Sequence, residues 1–260
     1  MMDGRVVWIT GASSGLGKEI ALQAAKQGDT VVLLARRIDK LLKIEKEIQN
    51  AGGNAHSFQL DVGDLDNLEI AINSIMSKVG RIDVLINNAG FGVFEHLTDV
   101  ELDVMKEMFH VNVLGLIAFT RYVVPYMIEQ KGGHIINIAS QAGKLATPKA
   151  SIYAATKHAV LGFTNSLRME LSPNHIHVSA VNPGPIQTDF FTRADEAGSY
   201  VKSVEKWMLQ SKDVAEKVIR LIKKPKREVN LPRWMGVGST IYQLFPTLIE
   251  KLAGKKLSQK

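Results

Sequence analysis

The sequence predicts a single α/β domain built on a doubly wound parallel sheet of about seven strands, with helices on both faces. Three observations predict it. Short β-branched runs alternate with stretches at helical spacing through the first 182 residues. The strand segments are nearly continuous apolar runs such as VVLLA and IINIA. A glycine-rich turn joins the first strand to the first helix. Strands apolar on both faces belong inside a sheet covered on both sides, and its crossovers should be right-handed.

Arg5–Thr10 reads as the first strand and Gly15–Gln27 as the first helix. Thr30–Ala35 is a strand and Asp39–Asn50 a helix, followed by a strand at Asn54–Leu60, a helix at Leu65–Val79 and a strand at Ile82–Asn87. Glu101–Gln130 is helical with a break near Phe109–Asn112. His134–Ala139, Ile152–Leu171 and Ile176–Val181 complete the pattern as strand, helix and strand. One domain spans 1–260. Within it, 183–212 reads as a mobile insertion forming a substrate loop and lid, and 232–260 as a basic amphipathic tail in which Ile241–Leu252 can form a helix.

At 260 residues, 45% hydrophobic and 22% charged, the chain has ordinary values for a globular protein with a sizeable core. It has no cysteine, which excludes disulfides, thiolate metal sites and a cysteine nucleophile, and predicts a reducing cytoplasm. The first residues, interrupted by Asp3 and Arg5, do not read as a signal peptide, and no stretch is expected to be apolar over the roughly 18–20 residues of a membrane span. The net charge of +6 is uneven: residues 212–260 carry 12 Lys/Arg against 4 Asp/Glu, and the rest is nearly neutral. A neutral body lacking a nucleic-acid module argues against nucleic-acid binding.

Gly11-Ala-Ser-Ser-Gly15-Leu-Gly17 closes a strand and opens a helix. Glycine allows positive φ and a close backbone approach, the helix start carries partial positive charge, and Gly17 lets the helix sit against the sheet. These are the requirements of a pyrophosphate cradle in a Rossmann-like fold. Thr10–Gly17 resembles the cofactor motif of the short-chain dehydrogenase/reductase family. Asn87-Asn-Ala-Gly90, Asn112, Ser140, Tyr153-x3-Lys157 and Pro183-Gly184 agree with it, in the expected order over roughly residues 4–190.

The resemblance implies an oxidoreductase moving a hydride between nicotinamide and a carbonyl or secondary alcohol. The second strand ends Leu34-Ala35-Arg36-Arg37, without the acid that would hold a ribose 2′-hydroxyl. Guanidinium meets a 2′-phosphate instead, so NADP(H) is preferred, with Arg36 the first choice for the contact and Arg37 the second. By resemblance, Asp61 and the adjacent Val62 lie at the adenine, Asn88, Ala89 and Gly90 lie beside the cofactor, and Ser13, Ser14 and Leu16 belong to the glycine turn. Pro183 and Gly184 lead to the Ile186 backbone and the Thr188 hydroxyl, which meet the nicotinamide carboxamide.

Tyr153 and Lys157, four apart on one helical face, suit an acid/base pair. A neighbouring ammonium stabilises a phenolate and is expected to lower the tyrosine pKa toward working pH. Ser140, at a strand's carboxyl end, can hydrogen-bond the substrate oxygen. The resemblance makes Ser140 the substrate-orienting serine, gives Lys157 the nicotinamide ribose, and makes Asn112 part of a proton relay through an ordered water. Phe190, Phe191 and Trp207 are candidate substrate contacts.

The seven histidines show no metal spacing. His110, His134 and His158 read as packing or surface residues, and Asp99, Glu101 and Asp103 as an acidic helix start. The tail mixes Trp234, Met235, Tyr242, Leu244, Phe245, Leu248, Ile249 and Leu252 with lysines. It reads either as docking on a partner subunit or its own core, or as a membrane-surface element. A homodimer or homotetramer is expected. The substrate reading is a bulky hydrophobic ketone or aldehyde, with a 3-oxoacyl thioester as alternative. A non-catalytic NADP(H) sensor or scaffold is the competing class.

Overall fold

A computed structural model describes residues 4–195 and 198–257. The chain alternates strand and helix as its periodicity requires. β1 (Val6–Thr10), α1 (Gly15–Lys26), β2 (Thr30–Ala35), α2 (Ile38–Asn50), β3 (Asn54–Gln59), α3 (Leu68–Val79) and β4 (Val84–Asn87) form the first half. Then come α4 (Leu102–Phe109), a π-helical turn at His110–Gly115, α5 (Leu116–Glu129), β5 (Gly133–Ile138), α6 (Ser151–Leu171) and β6 (Ile176–Pro183). The insertion holds β7 (Ile186–Gln187), α7 (Phe190–Ala194), α8 (Ser199–Val204) and β8 (Leu209–Gln210). After it come α9 (Ser211–Lys223), β9 (Glu228–Leu231), α10 (Arg233–Leu244) and α11 (Pro246–Leu257).

Among the described residues the main sheet is parallel throughout, in the order β3-β2-β1-β4-β5-β6-β9. It is the seven-stranded Rossmann-like arrangement expected from the sequence. Side chains alternate across each strand. Val7, Ile9, Val31 and Leu33 point to the layer of α1, α2 and α9, whereas Trp8, Val32 and Leu34 point to that of α3, α5 and α6. β2 and β3 lie on one side of β1 and β4, β5, β6 and β9 on the other, so the connections leave β1 and β4 in opposite directions. That reversal opens a crevice at the strands' carboxyl ends.

Several boundaries differ from the sequence expectation. α3 starts at Leu68 because Asp61 and Asp64 accept from Gly63 N (2.9 Å) and the Asn67 amide (3.0 Å), holding the preceding residues in turns. The break near Phe109–Asn112 is a π turn, not an interruption: the Asn112 side chain is clamped by both backbone groups of Phe91. The tail helix read at Ile241–Leu252 is divided at Phe245 into α10 and α11. α9 and β9 had not been singled out in the sequence, although α9 buries Val214, Val218, Leu221 and Ile222.

One expectation is overturned. The run Leu102–Glu129 is long and apolar enough to cross a membrane by length and composition. Phe119, Val123 and Met127 of this run are fully buried against the sheet, so the core accounts for one apolar face. Truncating Phe119 to alanine there should cost about 3–5 kcal/mol in urea unfolding. A loss below about 1 kcal/mol would show that this layer contributes little.

Candidate active site

The crevice begins at the turn after β1. Gly11 has φ +66°, a left-handed conformation that favours glycine. Gly17, one turn into α1, answers a different constraint. A Cβ there would lie 2.4 Å from the Gly11 carbonyl oxygen and 2.6 Å from the Asn88 amide nitrogen. Asn88 is what holds the turn: its Nδ2 donates to the carbonyls of Thr10 (3.0 Å) and Gly11 (3.2 Å). The backbone N–H groups of Asn88 and Ala89 donate to Thr10 Oγ1 (3.0 and 3.1 Å), stitching the ends of β1 and β4 together.

Ser14 stands at the N-cap of α1 but makes no side-chain capping bond, and the helix has no acidic residue in its first turn. Its uncapped N–H groups and partial positive charge face the crevice, as an anionic diphosphate requires. The two arginines ending β2 divide their work. Arg37 Nη2 donates to Ser13 Oγ (2.9 Å) and Ser14 Oγ (3.1 Å), so it spans from β2 to the glycine turn. Arg36 lies 3.8 Å from Asp61 in an exposed pair. Hydroxyls, guanidinium groups, a helix start and a glycine cradle suit a dinucleotide phosphate chain.

The opposite end of the same cavity, about 570 Å³ in volume, holds the reactive side chains. Ser140 follows β5, and its Oγ accepts from Ala142 N (3.0 Å), capping the short turn Gln141–Gly143. Tyr153 and Lys157 project from the first turns of α6. Lys157 Nζ donates to the Ile138 carbonyl (2.9 Å) and lies 5.7 Å from the Tyr153 ring centre. Burial pushes the Tyr153 phenol well above its usual range, the hydrogen bond with Ser140 working the other way. Burial also brings Lys157 down to about 8. Desolvation thus outweighs the expected lowering of the tyrosine pKa, and the phenol is held in its proton-bearing form.

The predicted residues meet in this one cavity with three exceptions. Its lining includes Gly11, Ser13, Ser14, Gly15, Leu16, Arg36, Arg37, Asp61, Val62 and Asn88–Gly90. It also includes Ser140, Tyr153, Lys157, Pro183, Gly184, Ile186, Thr188, Phe190 and Phe191. Gly17 is not in the lining but packs beneath the turn. Asn112 is buried behind the wall, its Oδ1 accepting from Phe91 N (2.9 Å) and its Nδ2 donating to Phe91 O (2.7 Å) and Thr156 Oγ1 (3.2 Å). Its side chain braces the loop after Gly90. Trp207 lies outside, half exposed against Trp234.

Two groups escaped the sequence reading. Phe94 packs edge-on to Tyr153 (5.4 Å between centres) and stacks on Tyr200 (4.5 Å), forming an aromatic wall with Phe190 and Phe191. Its loop is tied down where Phe94 N donates to the Ala194 carbonyl (2.7 Å). Phe94 on a loop, Tyr153 on α6, Phe190 and Phe191 on α7 and Tyr200 on α8 carry no shared spacing, so only folding reveals the cluster. The second group lies behind Ser140. Lys144 Nζ donates to both oxygens of Glu228 (2.7 and 2.8 Å). Glu228 also accepts from Asn182 (3.3 Å) and Asn230 (3.0 Å), and Gln141 Nε2 donates to the Asn182 carbonyl (2.8 Å). Burial works to raise the Glu228 carboxyl, but Lys144 and Asn230 outweigh it and hold it low.

A glycine cradle, paired arginines and a buried Tyr–Lys pair beside Ser140 at one sheet edge define a nicotinamide-dependent oxidoreductase. The comparisons agree: residues 5–198 match the short chain dehydrogenase family, and the chain belongs to it. A human relative, dehydrogenase/reductase SDR family member 7, is 37% identical over 204 residues, covering 76% of this chain and 60% of that protein. A short-chain dehydrogenase/reductase from Burkholderia phymatum, solved with NAD, superposes with a TM-score of 0.87 at 25% identity over 95% of each chain. A metagenomic short-chain oxidoreductase, solved with NADP, gives 0.76 at 32% identity, covering 88% of this chain and 97% of that one. The protein is thus an oxidoreductase of this family using NAD(P) for hydride transfer.

The tight contact at Gly17 gives a direct test. Gly17→Ala should displace the Gly11 turn, weaken cofactor binding at least ~10-fold by titration and lower Tm. Unchanged binding would mean that the helix start does not set the cradle.

Proposed function

We propose that the protein is an NADP(H)-preferring reductase of bulky, apolar ketones or aldehydes. The observation that carries this reading is the setting of Tyr153: a buried, proton-bearing phenol beside Ser140, in an aromatic wall of Phe94, Phe190, Phe191 and Tyr200. Such a wall accommodates hydrocarbon next to the reacting carbonyl and offers little to a small polar substrate.

Bound nicotinamide supplies the hydride. The chain's own residues manage the oxygen and the proton. Ser140 and Tyr153 present hydroxyls to the carbonyl oxygen, and the phenol proton passes to it as negative charge develops. Lys157, brought to about 8 by burial, stabilises the phenolate that remains and is poised to return a proton near neutral pH. Reduction therefore needs the phenol beside the Lys157 ammonium, and alcohol oxidation needs the phenolate beside that same ammonium.

The relatives named above were solved with NAD and with NADP, so preference rests on this chain's own residues. β2 ends without a carboxylate; Arg37 reaches the Ser13–Ser14 hydroxyls and the exposed Arg36 stands next to it at Asp61, a donor set suited to a 2′-phosphate. Exposed Leu102, Phe109, Leu114 and Ile128 along α4, the π turn and α5 support assembly into a homodimer or homotetramer. The absence of cysteine supports a reducing, cytoplasmic setting.

NADPH oxidation across a panel of aromatic, steroidal and long-chain carbonyl compounds tests the reading. Tyr153→Phe should lower kcat/KM by about 10²–10⁴-fold while cofactor binding persists. Cofactor binding without Tyr153-dependent turnover on any carbonyl would favour the sensor class. Reduction should be level through neutral pH and decline above about 8, as the Lys157 ammonium is lost. A reduction rate climbing above that pH would contradict the proton assignment. Arg36→Asp and Arg37→Ala should each weaken NADPH binding by roughly 10–100-fold and spare NADH. Equal losses for both cofactors would remove the 2′-phosphate contact.

A further inference from the structure

α10 presents its two faces in an unusual order. Met235 and Ser239, four residues apart, face the body, with Ser239 fully buried, and Tyr242, three residues on, is half-buried. The opposite stripe is Trp234, Val237, Ile241 and Leu244, spaced by three, four and three residues on one side of the helix. Phe245 at the helix end, Leu248 on α11 and Trp207 extend the same apolar region. All seven are between 45% and 67% exposed. Trp207 and Trp234 meet edge to face at 5.4 Å, joining the insertion to α10. A monomer surface seldom concentrates apolar side chains in this way without a partner.

The patch lies beside the cavity mouth. Met235 on α10, and Val204 and Tyr200 on α8, line the cavity, while the neighbouring Trp234 and Trp207 face out. Cations neighbour these residues along the chain: Lys206 directly precedes Trp207, Arg233 precedes Trp234 at the start of α10, and Lys251 follows Leu248 by three residues. The nearby acids are Glu205 and Glu250, the latter accepting from the Tyr242 hydroxyl (2.8 Å). In sequence, Lys255, Lys256 and Lys260 follow, within a segment carrying 12 Lys/Arg against 4 Asp/Glu.

We propose that this face docks on an anionic lipid surface, with the tryptophans and the α10 stripe seated in the headgroup region and the cations meeting lipid phosphates. Trp is favoured at that depth, and long basic side chains reach outward while their stems cover apolar surface. The alternative occupant, a second copy by two-fold symmetry, would bring these cations near their own copies, whereas anionic lipid complements them. Docking here places the cavity mouth against the bilayer, so an apolar carbonyl compound enters from lipid rather than water. That last step rests on the function proposed above; the docking itself does not.

The test uses the full chain and vesicles of phosphatidylcholine, with and without about a quarter phosphatidylserine. Wild type should sediment with the anionic vesicles, with a blue shift of tryptophan emission, and bind pure phosphatidylcholine at least ~10-fold less. The double variant Ile241→Glu/Leu244→Glu, changed at exposed positions, should lose at least ~10-fold in partition while retaining Tm and NADPH affinity. Wild type remaining in the supernatant, or the double variant binding as well as wild type, overturns the proposal. If wild type ignores vesicles but is a dimer that the double variant dissociates, the face belongs to a second copy. Tyr153→Phe should partition like wild type, so failure of the reductase reading is seen separately in turnover.

Discussion

The Asn88 amide donates to two consecutive carbonyls, Thr10 and Gly11, at the point where the two halves of the sheet diverge. Those oxygens belong to a turn too tight to pair them within a strand, and leaving buried carbonyls unpaired is costly. Because the amide also sits against Gly17, one side chain fixes three things together: the end of β1, the start of α1 and the first residues after β4. The phosphate cradle and the loop carrying Gly90 and Phe91 therefore share one anchor. Asn112 repeats the device from the other side, gripping both backbone groups of Phe91.

Around that frame, chemistry is set by how much water each group loses. The arginine pair stays near the surface, where charge is inexpensive to maintain and a phosphate can be met without a large desolvation cost. Tyr153 and Lys157 sit in the interior, and burial drives both toward their neutral forms. The two ends of one cavity thus have opposite electrostatic characters, one receptive to anions and the other to neutral, apolar groups.

Much of this was legible in the residues. The short β-branched, nearly continuous apolar runs and the period-3.6 stretches between them located β1 to β6 and their helices, because most of these strands are buried on both faces. The glycine turn and Ser140 could be placed because a strand end dictates which edge they occupy, whereas Tyr153 and Lys157 were placed by their spacing on one helical face and by the family resemblance. β9 escaped because four residues, two of them Glu228 and Asn230, carry too little apolar pattern, and its pairing depends on β6 rather than on its own composition. Phe94 and Tyr200 escaped because their encounter is a matter of loop paths. Trp207 was assigned to the cavity from its place in the insertion, but a 3₁₀ turn at Glu205–Trp207 carries it outward to Trp234.

The network behind Ser140 has a consequence for how the molecule is made. Lys144 and Glu228 are 84 positions apart, and Gln141 and Asn230 are 89 apart. During synthesis the glycine turn, Ser140, Tyr153 and Lys157 have all left the ribosome well before the strand that braces the serine's turn exists. Contacts of such long sequence separation close last, because loop closure must precede them. The nucleotide half can thus take shape on the nascent chain, whereas the turn bearing Ser140 gains its backing only when the seventh strand arrives.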